Sequence, residues 1–286
     1  MDALVDVVDQ LHTASVRNAI NPYEYIGWPE RVALSEWFTS PELVSIEGTD
    51  AWHDLDEEAR MRVSFYEAVN FFSLNIFGER QQMEGLARRL YDPDKRVITP
   101  YLHHFLDEEN KHNVLFGTFC LRYADKVYLH PALAWERTYE PGEEDFLFFA
   151  KILIFEEISD RHNLAMGKDD RLVEVARRIN QVHHFEEARH LRFGRAVVRE
   201  LWRQHSPTWS PDTVEGVRET LRDYLAATWL QYYNPAAYRD AGLPDAFALR
   251  EHVFEHPAAR ARRRAMSERC LRFLSEAGIL EEESCP

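Results

Sequence analysis

The sequence contains little glycine, few cysteines and no long apolar run. Each of these features excludes certain classes of protein. Only 11 of the 286 residues are glycine, which favours long helices over a β-protein with many tight turns. Cys120, Cys270 and Cys285 include no closely spaced pair, so we expect neither a disulfide framework nor a zinc site, and we expect a cytoplasmic protein. Neither a membrane-spanning run nor a signal peptide is apparent.

Basic residues are also scarce relative to acidic ones. Lys and Arg number 34 against 49 Asp and Glu, which gives a formal net charge of −15. This balance argues against nucleic-acid binding, which needs a basic face, and against binding to anionic membranes. Hydrophobic residues make up 45% of the chain, enough to bury a sizeable core, and the simplest expectation is a single domain over residues 1–286.

Helical periodicity predicts four long helices in the middle of the chain. Phe65, Phe72 and Ile76, for example, fall on one helical stripe. Breakers separate the predicted helices, and an aspartate in the turn 167–170 is expected to start the fourth. The predicted helices cover about 56–90, 101–123, 144–166 and 171–204. The sequence therefore predicts an all-α protein with a four-helix core at 56–204 and flanking helices in 1–55 and 205–286.

Two Glu-x-x-His pairs, Glu109/His112 and Glu187/His190, are the most informative motifs. Residues three apart share a helix face, so each pair directs a carboxylate and an imidazole to one place. Each pair follows another acidic residue at a similar distance: Glu79 lies 30 residues before Glu109, and Glu156 lies 31 before Glu187. Two helices giving one Glu each and two giving Glu-x-x-His form the pattern of a four-helix bundle that holds two metal ions.

Two positions leave alternatives open. Glu157 competes with Glu156, although Glu156 continues the apolar stripe of its helix. His183 lies one turn before Glu187 on the same face and either adds a third imidazole or is a buried, hydrogen-bonded histidine.

Further residues near the motifs also have two readings. Glu108 and Glu186 either orient the histidine on the opposite helix or lie on a solvated face. The sequence His-His-Phe occurs at 103–105 and again at 183–185, a weak sign of two related hairpins. The basic run 260–264 either binds an anionic partner or forms a solvated face, and we favour the solvated face. Aromatic residues either line a pocket or, as we favour, fill the core: Phe65, Phe72, Phe149 and Phe155.

Oxygen and nitrogen donors without thiolates suit iron or manganese. Burying four carboxylates without compensating cations would cost several kcal/mol each. Bound metal is the simplest compensation.

Over residues 60–200 the chain resembles the ferritin-like di-iron proteins, and more closely the p-aminobenzoate N-oxygenase (arylamine oxygenase) family. The run His183-x-x-x-Glu187-x-x-His190 carries the closer resemblance, because that family has a third histidine ligand. The resemblance implies no catalytic residue beyond seven metal ligands: Glu79, Glu109, His112, Glu156, His183, Glu187 and His190.

The same resemblance implies an activity. Two iron ions, with manganese possible, would activate O2 through a peroxo-diferric intermediate and N-oxygenate a small or carrier-bound amine. Electrons would come from an external donor, because the sequence has no dinucleotide fingerprint or ferredoxin-type cysteine run. The resemblance also implies a homodimer. The alternatives are a di-iron C–H hydroxylase or desaturase, a ferritin-like iron-storage or redox protein, and a metal-free helical module.

Overall fold

A computed structural model describes residues 2–130 and 138–280, and this part of the chain is helical without a β-strand. None of the described helices is long and apolar enough to cross a membrane. In chain order the α-helices are α1 (Asp2–Arg17), α2 (Pro22–Tyr25), α3 (Asp50–His53), α4 (Glu57–Arg89), α5 (Thr99–Ala124), α6 (Glu143–Lys168), α7 (Glu174–His205), α8 (Pro211–Tyr232), α9 (Pro235–Asp240), α10 (Ala246–Glu255) and α11 (Pro257–Glu276).

Helices α4 to α7 form the predicted four-helix core as two hairpins. Helix α4 packs along α5 and α6 packs along α7, whereas contact between α4 and α6 is sparse. Asp56 caps the start of α4 with its side chain, which accepts a hydrogen bond from Ala59 N. The fold is all-α with a ferritin-like bundle, as the sequence predicted.

The predicted start of the fourth core helix, at about residue 171, was wrong by three residues. Helix α7 begins at Glu174 because the preceding residues are held by another part of the chain. The backbone N–H of Val173 donates to the carbonyl of Trp37 at 2.8 Å, and Leu172 pairs with Trp37 in an isolated bridge. A tertiary contact thus replaces the first turn that the local sequence favoured.

Helices also occur on both sides of the four-helix core, as the sequence predicted. Helix α1 is 16 residues long and packs against α5 and α7. The Ser210 side chain caps α8, and Pro211 is the first residue of this helix. Within the described residues, four α-helices follow residue 205, and the side chains of Asn234 and His256 cap the starts of α9 and α11. Cys285 lies outside the described residues.

The expected core aromatics are buried: Phe65, Phe72, Phe149 and Phe155. Phe155 also lines a cavity, described below. The prediction that the basic run 260–264 forms a solvated face is wrong at two positions. Arg263 is 1% exposed, with its guanidinium 3.9 Å from the centre of the Phe254 ring. Arg262 binds Glu47 and the Ser45 carbonyl.

Candidate metal centre

The structure brings the seven predicted side chains together in the middle of the four-helix core. Each is at most 2% exposed. They form three overlapping groups whose oxygen or nitrogen atoms lie within 4.8 Å of one another: Glu79, His112 and His183; Glu109, His112 and Glu187; Glu156, His183 and Glu187. His190 joins the second group, because its Nδ1 lies 2.9 Å from Glu109 Oε1.

The distances between these inner atoms are those of donors around a metal ion. His183 Nε2 lies 3.3 Å from Glu79 Oε1 and 3.1 Å from Glu187 Oε1. His112 Nδ1 lies 3.4 Å from the same Glu187 oxygen. Two donors bound at ~2.1 Å and at right angles are ~3 Å apart. The spacing thus matches donor atoms that share ions.

Glu108 and Glu186 orient histidines across the bundle. Glu186 Oε2 lies 3.1 Å from His112 Nε2, and Glu108 Oε2 lies 2.8 Å from His190 Nε2. Both glutamates are buried, so the expected hydrogen bonds are confirmed and the solvated-face alternative is excluded. Because the outer Nε2 atoms are engaged, Nδ1 of each ring faces the centre.

Arg189 joins these two outer glutamates and was not anticipated. Its Nη2 lies 2.7 Å from Glu108 Oε1 and 3.4 Å from Glu186 Oε1. Together with His190, this guanidinium lowers the pKa of Glu108 to about 2, against the effect of burial, which raises it. The spacing of Arg189 three residues after Glu186 was the available signal.

His183 turns its Nε2 towards the centre. Its Nδ1 lies 2.6 Å from Asn163 Nδ2, so Asn163 occupies the place that a glutamate takes at the other two rings. The neighbouring His184 points elsewhere and binds Asp160, in agreement with the helical offset of about 100° per residue.

Glu156 and Glu157 point in different directions in the structure, which decides between the two alternatives. Glu156 faces the centre and accepts a hydrogen bond from Gln82. Glu157 faces away and pairs with Arg195 and Arg269.

The two His-His-Phe runs are not in register, so they do not mark equivalent sites. The position four residues before Glu109 is Phe105, whereas the position four before Glu187 is His183. Phe105 stacks on His190 with 4.0 Å between ring centres, and His104 lies near the surface against His12. The two hairpins are therefore similar in helix arrangement but not in this motif.

The hydrogen-bonding of the seven side chains is compatible with two bound cations. Several inner atoms are buried without a hydrogen-bond partner: Glu79 Oε1, both Glu109 oxygens, His112 Nδ1, Glu156 Oε2, His183 Nε2 and Glu187 Oε2. Buried polar atoms are almost always satisfied in native proteins, so a group of them that face one another indicates a ligand. Four carboxylates also balance the charge of two divalent cations.

The pKa shifts of the inner glutamates show that these buried carboxylates repel one another. Burial, and then the charges of Glu109 and its neighbours, raise the pKa of Glu79 well above its usual value. Burial and the charge of Glu187 do the same for Glu156. Burial opposes ionisation of Glu187 as well, but His190 and His183 hold its pKa well below its usual value. Cations between these groups would remove the repulsion.

Comparisons with known proteins agree with this arrangement. R2-like ligand-binding oxidases, solved with a Mn/Fe cofactor, have the same fold. One has a TM-score of 0.55 at 12% identity, with 96% of this chain and 93% of that chain covered. Another has a TM-score of 0.53 at 13% identity, with 89% and 92% covered. No curated protein sequence matches this chain significantly.

The family comparison covers almost the entire chain. The model of the family described as p-aminobenzoate N-oxygenase AurF matches residues 2–278. With its buried Glu and His groups, this chain belongs to the p-aminobenzoate N-oxygenase AurF family, a family of oxygen-dependent enzymes.

Proposed function

We propose that this protein is a non-haem di-iron oxygenase that uses O2 to N-oxygenate a small or carrier-bound amine. The observation that carries the proposal is the convergence of four glutamates and three histidines in one buried cluster. All four glutamates, together with His112 and His183, present an inner atom that has no hydrogen-bond partner. Family membership supports the N-oxygenase reaction.

In this proposal the seven inner side chains hold the metals: Glu79, Glu109, His112, Glu156, His183, Glu187 and His190. The pair of ions supplies the redox chemistry that activates O2. Glu186, Glu108 and Asn163 fix the orientation of the three imidazole rings.

The aromatic residues around the centre exclude water. Phe105 covers His190, and Phe116 packs edge-on against His183 with 4.9 Å between ring centres. Both phenylalanines are almost completely buried. A dry, fixed environment strengthens the electrostatic interactions of the site. Because the sequence has no nucleotide fingerprint or iron–sulfur motif, we propose an external electron donor.

A mixed Mn/Fe centre is the second candidate for the metal content. The similar R2-like oxidases are described with a Mn/Fe cofactor, and Glu and His donors accept either metal. Elemental analysis of protein from cells supplied with both metals decides between two irons and one of each.

The test of the proposed function compares His183→Ala with His184→Ala. Oxygen is added to the anaerobically reduced, iron-loaded proteins, and the visible spectrum and bound iron are measured. We expect the parent and His184→Ala to bind two irons and to show a transient absorption that decays faster with an arylamine. We expect His183→Ala to lose iron or the transient. A His183→Ala protein that behaves like the parent would contradict the seven-ligand centre.

Product analysis addresses the reaction itself. Mass spectrometry of the products from 4-aminobenzoate should show oxygen on nitrogen, with the label from ¹⁸O2. Oxygen found only on carbon would support the hydroxylase alternative.

A further inference from the structure

A cavity of about 340 Å³ lies between α4 and α6, beside α8. Its inner wall includes the buried side chains Gln82, Ile152 and Phe155, and its rim includes the exposed residues Gln81 and Arg88. Because α4 carries Glu79 and α6 carries Glu156, the cavity lies on the side of the metal centre where each helix contributes a single glutamate. The sparse contact between α4 and α6 leaves the space open.

Glycines on α4 shape this cavity. A Cβ atom at Gly78 would lie 2.5 Å from the Phe155 ring, and one at Gly85 would collide with the Phe148 ring. Both glycines and both phenylalanines are seven residues apart, or about two helical turns. The two rings therefore rest directly on the α4 backbone instead of filling the cavity.

Gln82 connects the cavity with the metal centre. Its Nε2 donates to Glu156 Oε1, whereas its Oε1 is buried and has no hydrogen-bond partner. The residue is 4% exposed. As an ionised metal ligand, Glu156 would only accept hydrogen bonds, so the Gln82 amide would present its nitrogen to Glu156 and its unpaired oxygen elsewhere. A buried acceptor without a partner costs free energy that a donor from a ligand would recover.

We propose that this cavity binds the amine substrate and that Gln82 is a positioning residue whose Oε1 accepts an N–H of the amine. In the same geometry, Nε2 of Gln82 holds Glu156, so one amide fixes both the substrate nitrogen and the carboxylate beside it. The inference rests on the proposed function, because it identifies the place from which an amine reaches the metal centre.

The test measures ligand binding to protein loaded with redox-inert Zn²⁺, so that no turnover is required. The probes are 4-aminobenzoate and 4-nitrobenzoate, which have similar shapes and the same anionic group but differ in N–H donors. Gln82→Met removes the acceptor at similar volume. Gln81→Trp fills the rim, and Gln204→Trp is its matched control, because Gln204 is an exposed glutamine at a separate cavity of about 300 Å³ near α1 and α7.

We expect Gln82→Met to weaken 4-aminobenzoate binding about tenfold, the value of one hydrogen bond, and to change 4-nitrobenzoate binding less than about twofold. A purely structural role for Gln82 would weaken both probes equally. We expect Gln81→Trp to weaken both probes, and Gln204→Trp to weaken neither.

Equal binding by the parent, Gln82→Met and Gln81→Trp would overturn the inference, as would a parent that binds neither probe at millimolar concentration. Neither result would affect the proposed oxygenase function, which is judged separately by iron content and the reaction with O2. Loss of the O2 reaction with normal probe binding would instead count against the proposed function.

Discussion

Helix α4 buries two glutamates, Glu67 and Glu79, in different ways. Both Glu67 oxygens accept from Ser45 N, at 3.1 and 2.8 Å, and the Ser45 hydroxyl donates to Glu67 as well. Glu79 receives one hydrogen bond from Asn113 at 2.8 Å, and its other oxygen has no partner. Glu67 and Glu79 are therefore twelve residues apart on one helix, but only Glu67 has hydrogen-bond partners for both of its oxygens.

The difference shows how to distinguish a structural buried acid from a metal ligand. Burial raises the pKa of Glu67 to about 7, against the hydrogen bonds of Ser45, which lower it. This isolated group can therefore neutralise itself with a proton. Glu79 lies among Glu109, Glu156 and Glu187, whose charges add to the effect of burial. For such a group, cations satisfy the charges and the unpaired oxygens together.

The largest expected effect is that of removing the metals. Metal that binds only the folded state at 1,000 times its dissociation constant adds about 4 kcal/mol to the free energy of unfolding. We expect a chelator to remove a stabilisation of this size from both the parent and Glu67→Gln, because Glu67 is not part of the centre. Urea unfolding with and without chelator measures it. Equal stability of the two forms of the parent would contradict a metal centre.

The next largest effect is a pH dependence of stability that Glu67 causes. The pKa of Glu67 is raised from 4.5 to about 7 in the folded state, so its favourable contribution is present below pH 4.5 and is lost as the pH rises towards 7. We expect the parent to lose about 3 kcal/mol of unfolding free energy relative to Glu67→Gln over this range. Urea titrations of metal-free protein at several pH values test this. Parallel pH profiles would show that Glu67 is ionised in the folded protein.

Sequence patterns were sufficient for the parts of the structure that depend on helix periodicity. The core helices and the convergence of Glu109, His112, Glu187 and His190 follow from three-residue spacing on one face. The start of α7 could not be predicted, because it depends on the Trp37 backbone 136 residues earlier in the chain. The buried contacts of Arg189, Asn163 and Gln82 were also not predicted. Polar side chains of these types usually lie on solvated faces, and only tertiary packing places these three inside.

A smaller effect is expected from the glutamates that orient the histidines. Burial lowers the pKa of His112, but Glu109 and Glu186 together raise it to about 10. Glu186 therefore makes the imidazole a stronger electron-pair donor to a metal ion. Loss of such a partner weakens metal binding about 10- to 100-fold, and we expect Glu186→Gln to do so. Competition with a chelator of known affinity measures it, and Glu84→Gln on the exposed face of α4 is the control. Unchanged affinity would show that Glu186 is only structural.

The smallest expected effect is that of removing a hydrogen bond from Glu67, the glutamate of α4 whose oxygens both have partners. Ser45→Ala keeps the backbone donor to Glu67 but removes the hydroxyl, which also contacts the Tyr238 hydroxyl at 2.5 Å. The loss of one such interaction should cost about 1 kcal/mol of unfolding free energy. Because hydrogen bonds from Ser45 lower the pKa of Glu67 in the folded state, the decline in stability should begin at the same pH in Ser45→Ala but continue to a higher pH. Metal content should not change, since Glu67 lies three helical turns from Glu79. A lower metal content in Ser45→Ala would mean that the two buried acids of α4 are not independent.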